Sequence, residues 1–372
     1  MHKQAKTTLR NSSKALARTR SLPQKYFVSP EIFAAEQERI FSTNWLLVGH
    51  QNQIPKTGDY FVANVAGESL IVVRDQKSTT RGFYNVCRHR GSRLHEHECG
   101  NTSVIQCPYH AWTYGLDGRL IGAPHMEGVA GFKKADYSLP ATNIELWEGF
   151  IFVNLDKNPA PLPKWFAPLK DKFSHWNMSI LRRAKQIEYD VGANWKLMFE
   201  NYSECYHCPG VHPQLQKVSP YDSAENDLRE GPFLGGFMTI NPGKSLTMSG
   251  NACAAFVGEI ENLPQVFYYS IFPNMLLSLH PEYVMVHQLW PQSPCRTLII
   301  CDWLFHPDAF KRKDFNPADA IEFWDITNKQ DWHVCELSQQ GISSRAYKPG
   351  PFSSRESIPA AWDDYYLQQI KM

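Results

Sequence analysis

The chain has 372 residues, 43% of them hydrophobic and 20% charged, with a formal net charge of +1. That length suits two ordinary cores better than one large one. The near-neutral balance leaves no electrostatic footprint for nucleic acid or an anionic membrane, and no apolar run approaches the about eighteen residues of a membrane span.

The first twenty residues, MHKQAKTTLRNSSKALARTR, hold six Lys or Arg and no acid. Residues 1–24 are therefore expected to be a basic mobile tail, with an organelle transit peptide as the other reading. Residues 25–44 contain SPEIFAAEQERIF. Ser29 and Pro30 form a cap and first turn, and Ile32, Phe33, Ile40 and Phe41 make an apolar stripe, so a helix packed on the rest of the chain is predicted. From 45 to 155 come short apolar runs split by Gly, Pro and Asp (WLLVGH, YFVANV, SLIVVRD, GFYNVC, SVIQCPYH, GFIFVNL), the pattern of a small all-β domain. DKNPAPLPKWFAPLK, with four prolines, looks like a linker.

The remainder, to residue 372, mixes both element types. NWKLMFENYSECYH (194–207) lacks Gly and Pro and predicts one helix. VFYYSIF, MLLSLH, YVMVHQLW and TLIICDWLF predict successive antiparallel strands, and residues 320–341 a long helix closed by Gly341. The fold class expected is α+β: an all-β module followed by a larger sheet-and-helix module.

The nine cysteines are an odd set scattered along the chain. They fit a reducing compartment such as the cytoplasm, or a matrix or stroma if the tail is an address, and metal binding or packing in place of a disulfide framework. Two dense stretches supply the ligands. In the first, Cys87 and His89 form a C-x-H pair, and Cys107 and His110 a C-x-x-H pair. Zinc would accept two thiolates and two imidazoles. So would a 2Fe–2S cluster with cysteines on one iron and histidines on the other. The order Cys-His, Cys-His, with Gly91 relaxing the first loop and Pro108 and Trp112 flanking the second, resembles a Rieske centre. His95, His97 and Cys99 read as a solvated loop.

The second stretch, ENYSECYHCPGVHP, packs Glu200, Glu204, Cys205, His207, Cys208 and His212 into residues 200–212. On a helix, Glu200, Glu204 and His207 would share one face. Pro209 and Gly210 would let the chain curl so that His207 and His212 converge. Two histidines plus an acid from elsewhere make the facial triad of non-haem Fe(II) oxygen chemistry. A di-iron bundle would need a second Glu-x-x-His motif, which is missing. Cys205 and Cys208 read as helix-packing cysteines in preference to a redox pair.

Together these motifs resemble the catalytic α subunit of the Rieske non-haem iron oxygenases, from about residue 25 onward. The resemblance implies a helix-grip catalytic domain over 156–372 and a Rieske domain over 45–155. It implies a 2Fe–2S cluster on Cys87, His89, Cys107 and His110, and a mononuclear Fe(II) on His207 and His212. Glu204 would be the acid linking that iron to the cluster of a neighbouring subunit in a homotrimer. The third ligand is normally an Asp five residues before a Glu, which points to Asp331 before Glu336, with Asp325 as the other candidate. No G-x-G-x-x-G fingerprint is present, so a separate NAD(P)H-dependent reductase is expected to deliver electrons. Glu204 and the sequences PNMLLSLHPEYVMVHQLWP and FWDITNKQDWHVCE resemble the branch acting on quaternary ammonium compounds such as choline, glycine betaine, carnitine and proline betaine. Tyr202, Tyr206, Phe267, Tyr268, Tyr269, Trp290 and Trp324 are candidate walls for such a cation. An aromatic-ring dioxygenase and a metal-binding electron-transfer protein are the alternatives.

Overall fold

The computed structural model describes residues 19–255 and 264–371; the basic tail, as far as residue 18, lies outside them. Residues 19–24 join the fold: Leu22 is fully buried and Gln24 donates to the Ile342 carbonyl. Two short helices follow, α1 (Lys25–Val28) and α2 (Pro30–Glu36), the second capped by Ser29 Oγ, which accepts from Ile32 N–H. A π-helical turn over Gln37–Phe41 extends α2.

Ten short strands come next: β1 (Leu46–His50), β2 (Asp59–Val65), β3 (Glu68–Arg74), β4 (Thr80–Tyr84), β5 (Cys99–Asn101), β6 (Ile105–Gln106), β7 (Thr113–Tyr114), β8 (Leu120–Gly122), β9 (Asn143–Trp147) and β10 (Phe150–Asn154). They form three small sheets ordered β1-β10-β9, β4-β3-β2-β5 and β6-β7-β8. Tyr60, Ile71, Phe83, Trp112 and Tyr114 gather round Cys87 and Cys107 as a local core.

The proline-rich stretch is not a free linker. It forms α3 (Leu162–Trp165) and buries Leu162, Phe166 and Leu169, because its apolar residues between the prolines have a sheet face to cover.

That face belongs to one seven-stranded antiparallel sheet: β11 (Arg182–Val191), β12 (Glu225–Leu228), β13 (Phe233–Thr239), β14 (Gln265–Ile271), β15 (Met275–Leu279), β16 (Val284–Ser293) and β17 (Arg296–Phe305), ordered β11-β17-β16-β15-β14-β13-β12. The four strands from β14 to β17 match the sequence reading. β11, β12 and β13 carry no plain strand signal, since half of β11 is charged and β13 is broken by Gly235 and Gly236. Period-two alternation gives the sheet two chemically distinct faces. Tyr269, Ile271, Leu277 and Val286 pack against Leu47, Phe152, Phe166 and Phe173. Val266, Leu276, Met285 and Leu289 face the helices. Each buried side chain of this kind contributes about 1.5–3 kcal/mol. Asn274 locks the first face to β1, giving and taking hydrogen bonds with the Leu47 backbone at 3.0 and 2.9 Å.

On the second face lie α4 (Trp195–Tyr202), α5 (Cys208–Val211), α6 (Pro213–Val218), the long α7 (Ala318–Ile342) and α8 (Ser357–Lys371). Glu36 of α2 reaches into this layer, 2.5 Å from Lys196 Nζ and 2.9 Å from Trp195 Nε1, and it also accepts from Tyr366 Oη. The N-terminal helix thereby ties α4 to α8, a helix that sequence reasoning did not identify.

Candidate active site

The two loops that carry the first ligand set have the same backbone plan. Cys87 N–H donates to Ser92 O, and Cys107 N–H to Trp112 O, both at 2.8 Å. The residue four beyond each cysteine, Gly91 or Ala111, returns its N–H to that cysteine's carbonyl with a positive φ of 75° or 55°. Gly91 thus takes the left-handed conformation its residue type favours. Both cysteines are buried and unpaired as disulfides, while His89 is exposed and His110 half-exposed. The two imidazoles lie 4.8 Å apart at the rim, and Trp112 stacks on His89. Tyr114 Oη sits 3.3 Å from Cys87 Sγ. Nδ1 of His110 is buried with no hydrogen-bond partner among the described residues. Two inward sulfurs and an unclaimed imidazole nitrogen fit a 2Fe–2S cluster with its histidine edge outermost. Burial opposes the Cys107 thiolate, but the N–H groups of Tyr109 and His110 outweigh it and lower that thiol's pKa. His95 differs from the solvated reading: it stacks on Tyr60 with ring centres 4.1 Å apart.

The second set is assembled differently from the single helix expected over 194–207. α4 stops at Tyr202. The Glu204 carboxylate accepts from the backbone N–H groups of Tyr206 and His207, a side-chain competitor that ends one helix and starts the next turn. Glu200, Glu204 and His207 therefore do not share a helix face. Cys205 and Cys208 are joined as a disulfide, which corrects the expectation of two separate packing cysteines. The turn of α5, begun with Pro209 near its start, then carries the chain to His212.

His207 and His212 converge as the spacing predicts. Their Nε2 atoms lie 3.3 and 2.9 Å from Oδ1 of Asp331 on α7. Each imidazole is oriented by its other nitrogen: Nδ1 of His207 donates to Glu204 Oε1 at 2.5 Å, and Nδ1 of His212 to Gln330 Oε1 at 2.8 Å. Both Nε2 lone pairs then point at one place, the second-layer arrangement that orients metal-bound histidines. Burial lowers the His207 pKa, but Asp331 and Glu204 outweigh it and push it up to about 10. Cys208 also lies within ligand range of the two histidines. Its sulfur is spent in the disulfide, so Asp331 is the better third donor. Two imidazoles and one carboxylate fit non-haem iron. Asp325 is elsewhere, taking the hydroxyl of Tyr189 at 2.9 Å and pairing with Lys329 at 2.6 Å.

Behind this cluster opens a cavity of about 100 Å³. Tyr202, Tyr268, Trp324 and Trp332 supply aromatic wall, and His287 and Asn328 polar wall. Of the other expected wall residues, Phe267 and Tyr269 lie on the opposite sheet face, because they alternate with Tyr268 along β14. Tyr206 is exposed, and Trp290 does not reach the cavity. Gln330, His287 and Asn328 are hidden in the sequence: Gln330 is signalled only by its place beside Asp331, and the other two are polar residues inside apolar stretches.

Residues 178–371 match the family model for the ring hydroxylating alpha subunit catalytic domain. The chain belongs to that family. Residues 44–133 match the Rieske [2Fe–2S] domain, so this oxygenase carries a Rieske cluster and a mononuclear non-haem iron. The chain is 33% identical to the glycine betaine monooxygenase oxygenase subunit of Pseudomonas aeruginosa, over 90% of this chain and 85% of that one. It is 29% identical to the carnitine monooxygenase oxygenase subunit of Escherichia coli, over 88% and 86%. The quaternary ammonium Rieske monooxygenase CntA, bound to an inhibitor, superimposes with a TM-score of 0.82 at 25% identity, covering 94% and 95% of the two chains. Naphthalene 1,2-dioxygenase from Rhodococcus, at 22% identity and a TM-score of 0.75, shares the fold. As an oxygenase component the chain draws its electrons from a reductase partner. Among the described residues no helix is long and apolar enough to cross a membrane.

Proposed function

We propose that this oxygenase hydroxylates or N-demethylates a small quaternary ammonium compound with dioxygen and reductase-supplied electrons. The observation that carries the reading is the cavity itself. Its described lining combines Tyr202, Tyr268, Trp324 and Trp332 with Glu204 and Asp331 and contains no Lys or Arg. Aromatic faces attract a desolvated ammonium by about 0.5–2 kcal/mol per ring. The names of the relatives acting on glycine betaine and carnitine point the same way.

Cys87, His89, Cys107 and His110 hold the cluster, and His207, His212 and Asp331 the single iron. When bound, these metals supply electron transfer and dioxygen activation. The protein's part is orientation and access. Glu204 and Gln330 fix the imidazoles, and the aromatic wall presents the substrate. Glu204 also lines a second hollow, with Glu200, Ser338 and Glu356. That position suits a carboxylate linking the iron site to the histidine edge of a neighbouring subunit's cluster in a homotrimer. A cytoplasmic location accords with the bacterial relatives, and a plastid one with the chloroplastic choline monooxygenase of Amaranthus tricolor.

The test is turnover with a generic reductase and a panel of betaines, choline and carnitine, scoring formaldehyde or aldehyde against oxygen consumed. Coupled product from at least one ammonium compound is expected. Coupled turnover of aromatic hydrocarbons alone would contradict the reading.

A further inference from the structure

Trp332 lines the cavity beside Asp331 and is buried. Its ring centre lies 6.2 Å from that of Tyr189 on β11, in an edge-to-face contact. The Tyr189 hydroxyl donates to Asp325 Oδ1 at 2.9 Å, and its oxygen accepts from Asn328 Nδ2 at 3.3 Å. Asp325 pairs with Lys329 at 2.6 Å, and its side chain is 22% exposed. Cavity, indole, phenol, carboxylate and solvent thus follow one another in a row.

The two rings differ in where the proton goes when an electron leaves. Nε1 of Trp332 is buried with no partner among the described residues. An oxidised indole there keeps its N–H, stays positively charged and remains a strong oxidant. Burial raises the Tyr189 pKa, so that phenol carries its proton at rest. A phenol gives up an electron far more readily when a base takes the proton, and the Asp325 carboxylate is such a base within hydrogen-bond reach. An oxidising equivalent therefore runs downhill from Trp332 to Tyr189.

The other described phenols near the cavity have no such base. Tyr202 meets the Ser278 hydroxyl at 2.8 Å, and Tyr268 Oη is buried without a partner among the described residues. Trp324 leads to Tyr283, whose hydroxyl donates to the Leu246 carbonyl at 2.6 Å, and a carbonyl takes up no proton at neutral pH.

A site that activates dioxygen endangers its own walls when it is oxidised with no substrate to attack. We propose that Trp332, Tyr189 and Asp325 form an escape route that carries such an oxidising equivalent out of the cavity. Trp332 gives one electron to the oxidised iron site. Tyr189 replaces it: its O–H bond breaks, the electron passes to the Trp332 ring and the proton to Asp325 Oδ1. The iron site ends one electron more reduced, and Tyr189 ends as a neutral phenoxyl radical beside a protonated Asp325. The route rests on the mononuclear iron site proposed above and holds whatever the substrate.

Freeze-quench paramagnetic resonance after mixing the iron-loaded oxygenase with hydrogen peroxide, without organic substrate, tests this. The parent should give an organic radical whose hyperfine pattern changes when its tyrosines are ring-deuterated. That signal should vanish in Tyr189→Phe and form about tenfold or more slowly in Asp325→Asn, which has lost the base. Both variants should keep the parent's iron content. Peptide mass spectrometry after repeated exposure should find oxidised Trp332 severalfold commoner in Tyr189→Phe than in the parent. A parent without a deuterium-sensitive radical would overturn the proposal. So would a signal that survives Tyr189→Phe or appears in the double variant His207→Ala, His212→Ala, or equal Trp332 oxidation in parent and Tyr189→Phe. Peroxide left unconsumed by the parent would overturn the iron-site reading as well.

Discussion

Nδ1 of His207 lies 2.5 Å from Oε1 of Glu204, while Nε2 of the same ring faces Asp331 Oδ1 at 3.3 Å. One imidazole thus connects a carboxylate at the edge of the site to the place where a metal would sit. Glu204→Gln keeps a side chain of the same size but removes the charge. Iron content should stay near that of the parent, while kcat falls by about 100-fold or more, beyond the usual loss for a residue behind a metal ligand. Metal analysis beside steady-state oxygen uptake checks it. Loss of iron in parallel with activity would make Glu204 a structural support only.

Asp331 and Asp325 share a helix but not a role. Asp331→Asn should lose the mononuclear iron and all turnover while the reduced Rieske signal persists. Asp325→Asn should retain the iron, because its carboxylate is engaged by Tyr189 and Lys329. Iron analysis of the two variants separates them.

Cys208 stands close to both histidines, but its sulfur is bonded to Cys205. Cys208→Ser should therefore keep its mononuclear iron within about twofold of the parent, as metal analysis after dialysis would report. Complete loss would make the sulfur a ligand.

The candidate ligands were legible because metals constrain residue type and spacing. The C-x-H and C-x-x-H pairs and the His-x4-His pair needed no structure. The path of the chain between them was less legible. Nothing in NWKLMFENYSECYH betrays that the Glu204 side chain would take backbone N–H groups and stop the helix. The cavity wall was less legible still. Tyr268 and Tyr269 are adjacent and alike, and only the register of β14 decides that one faces the site and the other the opposite core. Asn328 and His287 acquire meaning solely through partners about forty and one hundred and forty positions away in sequence.

Lys196 and Glu36 form an ion pair with side-chain exposures of 0% and 1%. Lys196→Met leaves the carboxylate buried without its cation, a change that typically costs about 3–5 kcal/mol. Chemical denaturation should show that loss, and adding Glu36→Gln should recover part of it.

His50 is buried and its pKa lowered to about 4 by desolvation, against a usual 6.5. The unfolded chain therefore binds more protons between those values. The stability His50 contributes is full above about pH 6.5 and falls as pH drops toward 4, by about 2 kcal/mol at pH 5. Asp302, raised to about 6 by burial, acts in the opposite sense over the same range. The comparison is therefore between the parent and His50→Asn, whose denaturation midpoint should depend less steeply on pH.

Turnover depends on two different iron centres in one chain. Iron and acid-labile sulfide analysis with paramagnetic resonance of the dithionite-reduced protein measures both at once. The parent should hold three irons and two sulfides per chain with a Rieske signal, and the double variant His207→Ala, His212→Ala should hold two irons with the same signal. A parent with zinc or without sulfide, or a double variant that keeps its third iron, would contradict it.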